Sequence, residues 1–307
     1  VTRLICLNEK SEIPVSSAFS DVMTEEIRKV GIIGAGAMGH GIAQVFAQAG
    51  YDVKLNDVSI EFVKKGIARI EGNLSRSVEK GRITSDQKKE ALSKITSSPD
   101  LLDFSDRELV VEAALEKIEV KSDLFRKVDR IVPKESILTS NTSSIPITQL
   151  AGLVSNPSRV VGMHFFNPVP VMKLVEIVRA LQTSDYSIKT VQGVSAKLGK
   201  TAVVVKDLAG FVSNRILCPM INEAIFALDE GVASREDIDT VMKLGMSHPM
   251  GPLELADFVG LDIVLDVLEV LYREFQDSKY RASPLLRQMV RAGYLGRKSG
   301  RGFYEYS

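Results

Sequence analysis

The chain has 307 residues, 45% of them hydrophobic, enough to bury a sizeable core in two domains. Lys and Arg number 39 against 39 Asp and Glu, and the net charge of +0 gives no support for a nucleic-acid partner, though it leaves room for a local basic patch. The two distant cysteines, Cys6 and Cys218, suit a reducing, cytoplasmic setting, and with three scattered histidines they build no metal-ligand spacing. No apolar run approaches the ~18–20 residues of a membrane span.

Residues 1–27 are expected to form an extension before the first domain. Leu4-Ile5-Cys6-Leu7 is too short for a secretory signal, and Glu9, Glu12, Asp21, Glu25 and Glu26 count against an acid-poor transit peptide. Met23 is an alternative start, given Val1 in the first position.

Lys29–Ile33 predicts a short apolar strand, and Gly34-Ala-Gly36-Ala37-Met38-Gly39 follows at once, ahead of a helix over Ile42–Ala49. In that context G-x-G-x-x-G reads as a dinucleotide loop. Gly34 allows the tight turn, Gly36 lets backbone approach a pyrophosphate, and Gly39 lets helix pack on strand. A second strand, Asp52–Asn56, leads into Asp57, about 21 residues past Gly36. An acid there can accept hydrogen bonds from the adenosine ribose and would repel a 2′-phosphate, which favours NAD over NADP. His40 reads as exposed filler.

Ser59–Lys80 predicts a long helix with apolar residues at helical spacing and Gly81 as its stop. Thr84-x-x-Gln87 reads as a capping box opening another helix to about Ile95. Lys80 and Arg82 between them are either solvated charge or a contact for a ligand phosphate. Leu109–Ala114 predicts a buried strand, followed by Glu116, Lys117 and Lys121 on a loop and helix start. Ser136–Ser140 predicts another, running into Asn141-Thr-Ser143-Ser144. Those side chains either line the ligand crevice or cap the helix after Ile145.

Val160–Phe165 and Leu174–Val178 predict two strands around a turn marked by Asn167-Pro168 and Pro170. Antiparallel pairing would set His164 opposite Glu176, with Cβ atoms roughly 5 Å apart. The pair is either a base with an orienting acid or a satisfied strand-end histidine beside a solvent-facing glutamate.

Beyond the strand Ala202–Val205 the pattern turns helical. Ala209–Glu230 predicts one long helix with Pro219 as a kink; Asn214, in its first turns, is either a surface residue or an inward hydrogen-bonding group. Ser234 caps a helix through Val241, Pro252–Phe275 predicts two helices broken near Gly260, and Ser283–Ala292 predicts the last. The apolar excess of Pro252–Phe275 suggests a subunit interface. His248 reads as a turn or capping residue.

GAGAMG, SNTSS, HFFNP…KLVE, GFVSNR, HPMGPLELAD…GLD and GRKSGRGFY thus occur in order across Val30–Tyr306. The set resembles the NAD-dependent L-3-hydroxyacyl-CoA dehydrogenases, most closely the single-function 3-hydroxybutyryl-CoA type. The resemblance implies an α/β Rossmann-like amino domain over residues 28–206 and an all-α carboxyl-terminal domain over 207–307 that binds substrate and forms a homodimer. It also implies an acyl-CoA substrate. By motif, His164 would be the base, Glu176 its partner, and Ser143 and Asn214 the groups that hold the substrate oxygen. Gly34, Gly36, Ala37, Met38 and Gly39 would cradle NAD and Asp57 its ribose, while Glu116, Lys121, Asn141, Ser143, Asn167 and Lys298 would approach the nicotinamide half. Lys80 would meet the coenzyme A portion. Rival readings are a free 3-hydroxy acid as substrate, a lysine-based β-hydroxyacid dehydrogenase, and a non-catalytic NAD-binding protein. No lysine stands in the first turns of the Ala209–Glu230 helix, which weakens the second.

Overall fold

The computed structural model describes residues 27–306, so the expectations for the leading segment, Cys6 and Met23 included, lie outside the described residues. Short runs of Val, Ile and Leu form β1 (Lys29–Ile33), β2 (Asp52–Asn56), β3 (Ile95–Ser98), β4 (Leu109–Glu112), β5 (Ile137–Ser140) and β6 (Val160–Phe165), all mutually parallel. β7 (Leu174–Arg179) returns antiparallel to β6, and β8 (Thr201–Lys206) lies parallel to β7. The sheet order is β3-β2-β1-β4-β5-β6-β7-β8, so the order reverses between β1 and β4. At such a reversal the crossovers leave to opposite faces and open a crevice at the strands' carboxyl ends.

Period-2 alternation sends successive strand residues to opposite faces. Val30 and Ile32 pack under α1 (Gly39–Gln48) and α2 (Ile60–Glu79), with Ile42, Phe46, Val63 and Ile70. Ile33, Val110 and Leu138 meet the other layer, which carries Phe125 and Val128. α3 (Ser85–Ser93) follows the predicted capping box, with Thr84 Oγ1 accepting the Gln87 amide at 3.1 Å. α4 (Ile118–Ile131), α5 (Ile147–Ala151) and α6 (Asp185–Lys197) complete the α/β part.

The helical part comprises α7 (Ser213–Asp229), α8 (Arg235–Gly245), α9 (Pro252–Val259), α10 (Leu261–Phe275) and α11 (Pro284–Arg291) around Ile221, Ile225, Leu253, Val264, Leu268 and Leu286. Gly260, at φ +106, makes the predicted break.

Four elements differ from expectation, the first being α8, which runs four residues past Val241 to Gly245. The helix predicted to reach Ile95 stops at Ser93, and Ile95–Ser98 become edge strand β3, whose Thr96 and Ser97 are exposed because only one neighbour pairs with it. α6 has no counterpart among the predicted elements; Ser184 caps it by accepting the Ser187 amide at 3.1 Å. α7 begins at Ser213 rather than Ala209, since Gly210 and Phe211 take φ of +73 and +48, outside the helical region. Most of the apolar excess of Pro252–Phe275 is spent inside the domain: Leu253, Ala256, Leu261, Val264, Leu268 and Leu271 are fully buried.

Candidate active site

The crevice begins where β1 ends. At Gly34, φ is +99 and a Cβ would lie 2.4 Å from the Ala113 carbonyl oxygen. A Cβ on Gly39 would strike the Gly34 carbonyl oxygen at 1.7 Å, so only glycine lets α1 start this close to β1. Gly36 differs, because a Cβ there would meet nothing within 4 Å. The fold needs Gly34 and Gly39, whereas Gly36 borders open space. α1 has no acid in its first turn to offset its N-terminal amides. Asp57 accepts the Ala35 amide at 2.6 Å and the Val58 amide at 2.7 Å, which pins it beside the loop. Gly34, Gly36, Ala37, Met38, Asp57 and Glu116 line an open crevice of about 1160 Å³. That space, the bare glycine and the flanking acid fit an NAD molecule.

A buried ionic brace backs the crevice. Lys121 is 1% exposed and donates to both Glu112 oxygens, at 2.7 and 2.9 Å, with Glu116 at 3.2 Å. Ser140 Oγ donates to Glu112 at 2.6 Å. Glu116 Oε1 accepts the Ser143 amide at 3.1 Å, the Ser144 amide at 3.2 Å and the Ser144 hydroxyl at 2.9 Å, and also the Thr142 hydroxyl. Burial pushes the Glu116 carboxyl up, but Lys121, Thr142 and Ser144 outweigh it and hold it below the ordinary glutamate range. The brace orders the Thr142–Ser144 turn and leaves the Ser143 hydroxyl without a protein partner among the described residues. These residues do not cap the following helix. Asp207 does that for α5, accepting the Ile147 and Thr148 amides at 3.0 and 2.6 Å.

His164 and Glu176 stand directly opposite in the β6–β7 ladder, with His164 Nδ1 2.8 Å from Glu176 Oε2. Both are buried, at 7% and 2% exposure, so the solvent-facing reading of Glu176 does not hold. A carboxylate at Nδ1 calls for the proton there and leaves the Nε2 lone pair free. Asn141 Oδ1 accepts the neighbouring Phe165 amide at 2.9 Å, and the Asn141 amide donates to Glu112 O at 2.8 Å, which ties the histidine's strand end to the brace. The Phe166 and Phe211 rings flank the imidazole at centroid distances of 4.7 and 5.6 Å. Glu176 also accepts from the start of α7 and the residue before it: Val212 N at 3.2 Å, Ser213 N at 2.9 Å and Ser213 Oγ at 2.8 Å. Burial pushes the Glu176 carboxyl up, and the donors from His164 and Ser213 outweigh it, so the net direction is down.

Asn214 is the second residue of α7, half-buried, and its side-chain amide has no protein partner among the described residues. Asn167 is exposed in the β6–β7 loop, on a cis bond to Pro168. Lys80 is exposed at the carboxyl end of α2. Lys298 lies in the helical part, bound to Asp262 at 2.6 Å, and no hydrogen bond or ion pair links it to the crevice among the described residues.

Residues 29–208 match the family model described as 3-hydroxyacyl-CoA dehydrogenase, NAD binding domain, and residues 210–306 match 3-hydroxyacyl-CoA dehydrogenase, C-terminal domain. The chain belongs to the 3-hydroxyacyl-CoA dehydrogenase family. A probable 3-hydroxybutyryl-CoA dehydrogenase of Deinococcus radiodurans is 55% identical over 91% of this chain and 100% of that one. The 3-hydroxybutyryl-CoA dehydrogenase of Bradyrhizobium diazoefficiens is 52% identical over 92% of this chain and 97% of its own. The crystal structure of the (S)-3-hydroxybutyryl-CoA dehydrogenase of Ralstonia eutropha superposes with a TM-score of 0.90 at 52% identity, covering 92% of this chain and 100% of that one.

As a 3-hydroxyacyl-CoA dehydrogenase the chain is an NAD-linked oxidoreductase, and its site holds residues that the sequence reading passed over. Glu112, Phe166, Phe211 and Ser213 touch the brace or the His164–Glu176 pair. Glu112 carried a signal, an acid closing an otherwise apolar strand. Ser213 did not stand out beside Asn214.

Two predictions come from this geometry. Gly36→Ala should fold with an unchanged thermal midpoint while NAD affinity falls at least tenfold by titration calorimetry, because its methyl meets no protein atom. Parental NAD affinity in that variant would exclude the crevice role. The second concerns acid. Glu176 and Glu116 lie below the ordinary glutamate value of 4.5 in the fold, so each adds stability that is complete above that value. The contribution is lost as pH falls through the folded values. Urea midpoints should drop between roughly pH 5 and 3, and drop less in Glu176→Gln. Parallel curves for the two proteins would contradict the linkage.

Proposed function

We propose that the protein oxidises (S)-3-hydroxybutyryl-CoA to the 3-ketoacyl-CoA, reversibly, with His164 as the base. The observation that carries this reading is the buried His164–Glu176 pair at 2.8 Å, with Nε2 left open. The short-chain substrate rests on the names of the close relatives. NAD held in the crevice supplies the hydride acceptor. Asp57 is proposed to hold its ribose, and the Gly36 and α1 amides its phosphates.

His164 Nε2 takes the 3-hydroxyl proton as the C–H bond gives up its hydride, and Glu176 stabilises the imidazolium that results. The Ser143 hydroxyl and the Asn214 amide, both unengaged by protein among the described residues, hold the substrate oxygen so that carbon 3 faces the acceptor. Glu116 and Lys121 act on this reaction by ordering the Ser143 turn, and Asn141 by fixing Phe165 next to the base. Asn167 remains proposed near the nicotinamide half. Lys298 reaches that half only by leaving Asp262. Lys80, exposed at the α2–α3 tip, is proposed for the coenzyme A portion. The His-Glu pair with its open neighbours disfavours a non-catalytic role.

The enzyme is further proposed to be a cytoplasmic homodimer through its helical domain. No described helix is long and apolar enough to cross a membrane. Val241, Leu244, Met246 and Phe258, on or beside α8 and α9, are 58%, 81%, 61% and 48% exposed, an apolar display that suits a subunit contact.

His164→Gln should keep NAD binding and lose roughly 10²–10⁴-fold in kcat, assayed as NADH oxidation with acetoacetyl-CoA. Free acetoacetate should be a far poorer substrate for the parent enzyme. Equal turnover of the two would favour the free-acid reading, and near-parental kcat in the variant would displace His164 as base. In analytical ultracentrifugation the parent should sediment at twice its 33.7 kDa chain mass. Leu244→Asp should shift it toward monomer, and a monomeric parent would refute the dimer.

A further inference from the structure

The Glu176 carboxylate is shared between the two domains. Its Oε2 accepts two hydrogen bonds of equal length, one from His164 Nδ1 at 2.8 Å and one from Ser213 Oγ at 2.8 Å. Its Oε1 accepts the Val212 and Ser213 amides at 3.2 and 2.9 Å. The left-handed backbone at Gly210 and Phe211, with φ of +73 and +48, aims those two amides at one oxygen. A Cβ on Gly210 would press on Leu271 at 2.9 Å and the Arg215 amide at 3.0 Å, so the turn is held from behind. Val212, the residue before α7, offers no side-chain cap. Glu176, from the other domain, takes that place.

We infer that Ser213 is a positioning residue for the base: its hydroxyl competes with His164 for the same carboxylate oxygen and so sets how strongly His164 holds a proton. This rests on His164 being the base. An anion that already accepts three donors from α7 has less charge to offer a fourth, and a hydroxyl on the shared oxygen acts most directly. The surroundings leave Ser213 as the adjustable member. From β8, Val203 stands in register with Glu176 and is uncharged. Arg215 of α7 stacks its guanidinium 4.4 Å over the Phe275 ring and makes no hydrogen bond or ion pair to Glu176 among the described residues. Glu274 of α10 lines a separate cavity of about 160 Å³ behind Phe211. Among the described residues, the other hydrogen-bond donors to Glu176 are backbone amides and His164 itself.

The test is the pH dependence of kcat/KM for 3-hydroxybutyryl-CoA oxidation, with NAD affinity measured alongside. Ser213→Ala keeps both amides and removes only the hydroxyl. Its acid limb should move up by roughly 0.5–1 pH unit, because Glu176 then holds the imidazolium more tightly. NAD affinity should stay parental, and Ser213→Thr should restore the parental profile. A purely structural role would lower activity or stability without displacing the limb. An unmoved limb in Ser213→Ala, or a moved limb that Ser213→Thr does not restore, overturns the inference. Should Ser213→Ala not fold, Ser213→Cys is read instead; its thiol donates weakly, and an unmoved limb there overturns it too. His164→Gln separates the two levels, since turnover surviving in that variant removes the base assignment itself, whereas an inactive His164→Gln beside an unmoved Ser213→Ala limb removes only the role of Ser213.

Discussion

One buried carboxylate joins the halves of this enzyme. Glu176 is 2% exposed and accepts a hydrogen bond from a strand of its own sheet and three from the first residues of a helix in the other domain. Taking an unpaired carboxylate out of water costs several kcal/mol, so burial is tolerable here only because every donor is in place. If α7 separates from the sheet, Glu176 loses three of its four hydrogen bonds, and α7, which has no acid in its own first turn, loses the carboxylate at its N-terminus. Domain docking and the orientation of His164 are therefore one interaction rather than two. A site built this way is fully formed only in the docked arrangement.

The same device recurs where no chemistry is at stake. Asp207, just past β8, caps α5 across 60 residues of sequence. Asp239 of α8 accepts the Leu253 and Glu254 amides at 2.8 and 3.0 Å, and so caps α9. Asp257 of α9 accepts the Phe303 and Tyr304 amides, both at 2.9 Å, and fastens the closing Gly-rich segment. Burial pushes the Asp257 carboxyl up despite those amides. Asp207, Asp239 and Glu176 satisfy orphan amides at helix starts from other elements, and Asp257 does the same for a closing loop, which trades local capping for tertiary specificity. Glu176 is the member of this set whose second oxygen also faces a histidine.

That preference explains what the sequence hid. Interactions within about a dozen residues were legible: the Thr84–Gln87 box, the glycine loop, and above all the His164–Glu176 register, which two strands around a short turn fix between them. Caps from distant elements leave no local spacing, so α7 starts four residues past the predicted Ala209 and Asp207 shows no local signal. β3 was missed because an edge strand needs only half an apolar face, and I-T-S-S offers little more. The family motifs carry Glu116 and Lys121 to the site, yet no spacing places them under the Ser143 turn rather than against a ligand. That distinction depends on Lys121 being enclosed between two glutamates, which only packing reveals.

Sheet order sets the distance between the glycine loop and His164. The glycine loop follows β1 and His164 stands near the end of β6, with β4 and β5 between. Three strand spacings of about 4.8 Å put roughly 14 Å between the two strand ends. On the proposed reading, a cofactor anchored at Gly36 would lie across the carboxyl ends of β4 and β5 to bring its reactive ring near His164. Those two strand ends carry Glu112, Ser140 and Asn141, the residues bound into the brace. The brace is thus the floor over which the cofactor passes. Its polar groups largely satisfy one another, and among the described residues the Ser143 hydroxyl is left without a partner. On the proposed mechanism the brace and the shared carboxylate at the far end divide the labour: one orders the turn that would hold the substrate oxygen, the other holds the group that would remove its proton.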